Sequence, residues 1–136
     1  MSQNKLDISR ATEAVKAARF VEALSLLESN LAKDPNHIDS LYLAAVCSRY
    51  LKNYDDSKKY IESLLSKAPD MGRAYQELGH LNRDIGNGEN AITHYRQACE
   101  LNPALLSSWK ALYDYFKRNK NKPAADHAFM QMNTLQ

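Results

Sequence analysis

Residues 72–105 read GRAYQELGHLNRDIGNGENAITHYRQACELNPAL, and this stretch decides the fold. Its apolar positions recur at intervals of three and four: Tyr75, Leu78 and Gly79 in the first half, then Ala91, Ile92, Tyr95 and Ala98 in the second. That is helical spacing, not the two-residue alternation of a strand. Gly86-Asn87-Gly88 separates the halves. Glycine enters positive backbone angles without steric cost, so a tight turn belongs there. Pro103 closes the stretch, because proline cannot continue a helix and disfavours helix in the residue before it. The expected unit is a helix, a turn and a helix, each helix of about four turns.

The same punctuation recurs along the chain. Pro35, Pro69 and Pro103 are spaced by 34, and Lys52-Asn53, Gly86-Asn87-Gly88 and Lys120-Asn121-Lys122 fall midway between them at the same interval. The length, 136 residues, is four times 34. Side-chain size keeps the register. Leu41, Tyr75 and Trp109 are large, and Ala44, Leu78 and Leu112 follow on the same helical face. Next come Ala45, Gly79 and Tyr113. In the second helices Ala23, Ser57, Ala91 and Ala125 are small, and four residues on stand Leu27, Ile61, Tyr95 and Phe129. Leu64, Ala98 and Met132 fill the next turn. Small beside large lets paired helices approach while the large groups fill the gaps. The spacing predicts helices over roughly 4–17, 20–33, 38–51, 54–67, 72–85, 88–101, 106–119 and 122–135. One hairpin cannot bury its apolar face alone, so the repeats are expected to stack.

This pattern resembles the tetratricopeptide repeat family over essentially the whole chain. Residues 72–105 carry the likeness most clearly, although Asn82 stands where the family usually has an aromatic residue. The first repeat is the weakest, with Asp7 and Arg10 at sites where the family prefers large apolar groups. The resemblance implies an all-α, right-handed α-solenoid of four helix-turn-helix repeats, at about 4–37, 38–71, 72–105 and 106–136. They would form a single domain, 1–136, belonging to a longer chain.

Composition agrees with a globular protein: 44% of residues are apolar and 25% charged. A net charge of +2 is too small to argue for nucleic acid or an anionic membrane as partner. The longest apolar run, Leu41 to Cys47, has seven residues, where a bilayer needs about 20. Met1-Ser2-Gln3-Asn4-Lys5 leads into no apolar signal segment. Cys47 and Cys99 make no disulfide framework and read as small packing groups. A cytoplasmic location is therefore expected.

A search for chemistry returns no catalytic residues, no metal site and no cofactor. His37, His80, His94 and His127 pair with no other histidine or cysteine at ligand spacing. Gly86-Asn87-Gly88 follows no strand and has no lysine–serine pair, so it reads as a turn rather than a phosphate loop. The run Lys117-Arg118-Asn119-Lys120-Asn121-Lys122 covers a helix end and a turn, where the helix dipole favours cations. The spacing of 34 argues against the RNA-reading helical repeats, which use 35. The chain itself is expected not to be an enzyme.

In the family, the first helices of successive repeats line a concave groove that holds a peptide or a partner helix. By spacing, the groove set here is Asp39, Tyr42, Val46, Arg49 and Tyr50 in the second repeat. It continues with Arg73, Gln76, His80 and Arg83 in the third, and Ser107, Lys110, Asp114 and Lys117 in the fourth. These positions avoid the apolar face and are expected to be open to solvent or ligand. Arginine forks bind carboxylates, and aromatic rings contribute contact area at low entropy cost. The expected partner is thus a protein or peptide, with a preference for acidic segments. The lysine–asparagine–lysine–arginine set that grips chaperone tails is not matched, since Ile8, Thr12, Leu43 and Glu77 occupy its sites. The last helix carries Ala125, Ala128, Phe129, Met132 and Leu135 at helical spacing, an apolar strip that predicts weak self-association. An alternative reading makes the chain the amino-terminal interaction domain of a larger enzyme. Residues 102–112 also resemble the repeat arrays that precede bacterial sulfotransferase domains.

Overall fold

The computed structural model describes residues 2–136, with side chains from Asp7 onward. Statements about Met1 and about the side chains of 2–6, including the opening segment, lie outside the described residues. Among the described residues eight helices follow one another: α1 (Ser2–Lys16), α2 (Phe20–Lys33), α3 (Ile38–Tyr50), α4 (Tyr54–Lys67), α5 (Gly72–Asp84), α6 (Gly88–Leu101), α7 (Leu106–Arg118) and α8 (Lys122–Thr134). No strand occurs among the described residues. The predicted spans hold to within two residues. Each first helix of a pair stops one residue early, because the chain then enters a left-handed turn.

That turn recurs with the period of the prolines. Ala18, Lys52, Gly86 and Lys120 have φ of 59°, 64°, 87° and 58°. In every case the next residue's amide reaches back five positions to a helical carbonyl: Arg19 to Ala14, Asn53 to Ser48, Asn87 to Asn82 and Asn121 to Phe116, all at 2.8 Å. These bonds satisfy carbonyls that the helix end would leave open. Asn87 and Asn121 then cap the following helices, their Oδ1 atoms accepting from the amides of Asn90 and Ala124. The prolines sit two residues past the ends of α2, α4 and α6, directly after the capping residues Asp34, Ala68 and Asn102. They stop each second helix where its hydrogen bonds run out.

The helices gather into two compact units, Met1–Pro69 and Asp70–Gln136. In the first, α1 pairs with α2 and α3 with α4, while α3 also packs on α1 and α2. The core joins Ala11 and Ala14 of α1, Ala23 and Leu27 of α2, and Ala44 and Cys47 of α3. A polar knot ties α2 to the start of α3. Buried Asn30 donates to Ser40 Oγ at 2.7 Å, and Ser40 also meets His37 Nδ1 at 2.8 Å. In the second unit α5 pairs with α6 and α7 with α8, while α7 packs on α6 and α5. Its core is bulkier, with Tyr95, Leu112 and Phe116 packed among Ala91, Cys99, Ala125 and Ala128.

The expected small-beside-large crossing is seen most sharply at Gly79. A Cβ added there would stand 2.6 Å from the Tyr95 ring, so no side chain fits. Tyr95 is buried, and its hydroxyl is 2.7 Å from His80 Nδ1. The fourth repeat departs from expectation. Tyr113 and Phe129 are both large, their ring centroids 5.7 Å apart, and Phe129 is 47% exposed instead of filling a gap. Two large rings cannot share a crossing built for one.

Candidate protein-binding surface

In the first unit, the five positions expected on α3 divide. Asp39 and Tyr50 are exposed and Tyr42 is half-buried. Val46 and Arg49 are buried, at 9% and 6% exposure, which corrects the expectation that the whole set is open. The reason is that α3 is buried nearly all round, from Ala44 through Arg49 without a break. Such a helix keeps no wide polar stripe for solvent. The Arg49 guanidinium carbon lies 4.5 Å from the Tyr50 ring centroid. On α2, Phe20 stacks on the same ring at 4.5 Å, nearly parallel at 2°. Tyr50 is thus an exposed ring in a fixed orientation.

In the second unit the expected residues lie on α5 and α7, which pack together. Ser108 of α7 donates its hydroxyl to Gln76 Oε1 of α5 at 2.8 Å, tying the two helices side by side. Gln76 is therefore a tie between the two helices through its carbonyl oxygen. His80 is likewise engaged, at its bond to Tyr95. Arg73, Arg83, Ser107, Lys110, Asp114 and Lys117 are exposed. Arg83 contacts Asp84 through Nε and Nη2, both at 3.1 Å. Lys117 donates to the Tyr113 hydroxyl at 3.0 Å, a hydrogen bond that raises the lysine's pKa. The face carries four cations against Asp114 and Asp84, an excess of positive charge spread along two neighbouring helices.

The remaining sequence candidates serve the fold. His37 caps α3, its Nδ1 accepting from the Ser40 amide at 3.2 Å. His94 meets Gln97 at 2.9 Å, and His127 stands edge-on to Trp109 at 5.6 Å. Burial pushes the Cys99 thiol up to about 12, so it is protonated at neutral pH and is no nucleophile. In the basic run, Lys122 is held by Asp126 at 2.8 Å and Arg118 caps the Asp114 carbonyl at 3.4 Å. Among the described residues no group of three or more histidine, cysteine or acidic side chains gathers as a metal site. Among the described residues no helix is long and apolar enough to cross a membrane.

Sequence reasoning missed one feature. Between α6, α7 and α8 lies a pocket of about 280 Å³, lined by Arg96, Cys99 and Glu100, by Trp109, Leu112 and Phe116, and by Ala124, His127 and Ala128. A signal for it existed. The positions at the 34-residue interval are Leu26, Tyr60, His94 and Ala128, and only the last is small. The size pattern traced along the chain followed other positions and passed this one by.

Comparison with known proteins follows the same helices. No curated protein matches the chain. Among solved structures, MamA from Desulfovibrio magneticus RS-1 is similar over 97% of this chain and 75% of its own, with a TM-score of 0.78 and 20% identity. A second MamA structure is similar over 99% of this chain and 74% of its own, with a TM-score of 0.74 and 17% identity. A mutant O-GlcNAc transferase from Thermobaculum terrenum is similar over 85% of this chain but only 22% of its own, with a TM-score of 0.79 and 21% identity. These likenesses establish the all-α helical-repeat fold. At the sequence level, a family profile described as tetratricopeptide repeat matches residues 14–81, and another of the same description matches 72–105. On those matches, and on the recurring left-handed turns and prolines that explain them, the chain belongs to the tetratricopeptide repeat family.

Proposed function

We propose that the chain is a non-catalytic scaffold that binds a protein or peptide, and that the α5–α7 face of the second unit is a principal contact surface. The observation that carries this reading is the Ser108–Gln76 bond. It holds α5 and α7 together with Arg73, Arg83, Lys110 and Lys117 exposed along them. Side-by-side cations on rigid helices suit an acidic or carboxylate-bearing segment, because guanidinium forks take carboxylates with two bonds each. On the first unit, Asp39, Tyr42 and the stacked Tyr50 form a separate contact patch. Buried Val46 and Arg49 support that patch from within, and Gln76 and His80 support the α5–α7 face.

A photo-crosslinking residue in place of exposed Ser107 on α7 should capture the partner in cells. Replacing both Arg83 and Lys110 with glutamate should lower capture about tenfold while the helical circular dichroism is unchanged. Equal capture by the double variant would overturn the assignment of this face. Binding should weaken with salt, since exposed charges are screened beyond about 8–10 Å. We place the scaffold in the reducing cytoplasm, a reading supported by Cys47 and Cys99, both buried and neither in a disulfide. Weak self-association through α8 belongs to the same proposal. Phe129 and Met130 are exposed there, Leu135 follows just after the helix, and Met132 is half-buried.

A second reading makes the array a part of a larger enzyme. The Thermobaculum transferase supports it, because the similar segment occupies only 22% of that enzyme's chain. The full reading frame around this sequence would decide between the two.

A further inference from the structure

The two units can be compared residue by residue, because helices α2, α3 and α4 recur as α6, α7 and α8 at a displacement of 68. In the first unit, Tyr60 of α4 packs against the core around Leu27, Ala44 and Cys47. Its hydroxyl hydrogen-bonds the carboxylate of Glu28 on α2, and burial together with that acidic neighbour raises the phenol's pKa. In the second unit the tyrosine position is Ala128 and the glutamate position is Arg96. The floor is raised, with Leu112 for Ala44 and Phe116 for Ser48, yet a pocket of about 280 Å³ remains. Both changes point the same way. The chain's own aromatic plug is missing, and the hydrogen-bond acceptor at the rim has become a donor.

We infer that this pocket receives an aromatic side chain of a protein partner, with a carboxylate beside that ring bound by Arg96. The size fits, since a cavity of about 150 Å³ already accepts benzene. The walls suit a ring, with Trp109, Leu112 and Phe116 forming an apolar floor. Arg96 lies against the Phe116 face, its Cζ 5.1 Å from the ring centroid, and among the described residues no carboxylate pairs with it. A guanidinium only donates, so its complement must accept, and a carboxylate accepts with both oxygens. Glu100, one turn further along α6, lines the same pocket and directs an incoming anion to the Arg96 side. A partner ending in an aromatic residue supplies ring and carboxylate together. The pocket faces α6 and α8, not the α5–α7 surface, so it stands independently of that assignment.

Trp109 is the single tryptophan of the chain and forms part of the floor, so its emission reports on occupancy. The full chain is titrated with three probes: N-acetylphenylalanine, its amide, and phenethylamine. Tryptophan emission and backbone amide shifts are followed together. N-acetylphenylalanine should shift amides in 96–100 and 109–128 and bind about fivefold tighter than its amide, the advantage of one charged hydrogen-bonded pair. Arg96→Glu recreates the acidic rim of the first unit and should move the preference to phenethylamine. Ala128→Tyr supplies the missing plug and should abolish binding of all three. If that variant does not fold, the reversal of preference by Arg96→Glu decides alone. Absence of shifts around the pocket, a carboxylate probe no better than its amide, an amine preferred by the unmodified chain, or binding retained by folded Ala128→Tyr would each overturn the inference.

Discussion

The first and second units have the same helices at a displacement of 68, yet they are filled differently. Where α1 meets α2, the first unit uses Ala11 with Leu27. Where α5 meets α6, the second uses Gly79 with Tyr95. As one partner grows, the other gives up its only side-chain carbon. In the polar positions the difference is larger. The first unit buries an Asn30–Ser40–His37 knot, and the matching Ser108 in the second ties α7 to α5 through Gln76. The backbone repeat is therefore tolerant of what fills it, provided that each crossing is filled once. The fourth repeat shows the limit, since Tyr113 and Phe129 compete and Phe129 is left outside.

The strongest test of this comparison is to move one unit's crossing into the other. Gly79→Leu should cost about 1–3 kcal/mol, because Tyr95 is pinned by His80 and cannot yield. Gly79→Ala with Tyr95→Leu recreates the first unit's pair and should recover much of the loss suffered by Gly79→Ala alone. A double-mutant cycle from urea melts reads the coupling. Additive costs would mean that the two positions do not share a crossing.

The left-handed turns give a smaller effect of predictable sign. Gly86→Ala should destabilise by about 1 kcal/mol, while Lys52→Gly should be neutral or stabilising, because a Cβ in that conformation meets the following carbonyl. The expected outcome in thermal melts is a lowered midpoint for Gly86→Ala and no lowering for Lys52→Gly, and a loss of stability in both would refute it. A pH test follows from Cys99, which has Leu31 as its counterpart. Its folded pKa is raised from 9.0 to about 12, so between those values the folded state holds a proton that the unfolded state has lost. Stability should therefore be fully present below about pH 9 and fall as pH rises towards 12, and Cys99→Ala should flatten that slope. An unchanged slope in Cys99→Ala would show that the thiol does not couple to folding.

The least costly motion should be the opening of α1. Its Asp7 and Arg10 stand where its counterpart α5 has Tyr75 and Leu78, so less apolar area anchors it. Hydrogen exchange should be faster in α1 than in α5, and equal protection would contradict this. Smallest of all is self-association through α8. Met130 is 65% exposed, so replacing Met130 and Leu135 with lysine should favour monomer in sedimentation velocity. A pure monomer for the unmodified chain at high concentration would remove the idea.

Much of this protein was decided locally and can be read from its sequence. The prolines at 35, 69 and 103 and the turns between them mark six of the seven breaks among the helices, because breaking a helix needs only the residue that breaks it, and the 34-residue interval alone places the break at Ala18. The crowding at Gly79 is also legible, since a glycine opposite a tyrosine at helical spacing has few other uses. What only the tertiary structure decided is which faces stay open. Val46 and Arg49 carry the same spacing as exposed Asp39, and nothing in their own stretch separates them. Phe129 sits in the register of buried Leu27, Ile61 and Tyr95, and Ala128 looks like one more small packing residue. Burial depends on what the rest of the chain brings against a side chain. A repeat fixes the position of a residue in its own hairpin, while the neighbouring helices fix whether water reaches it.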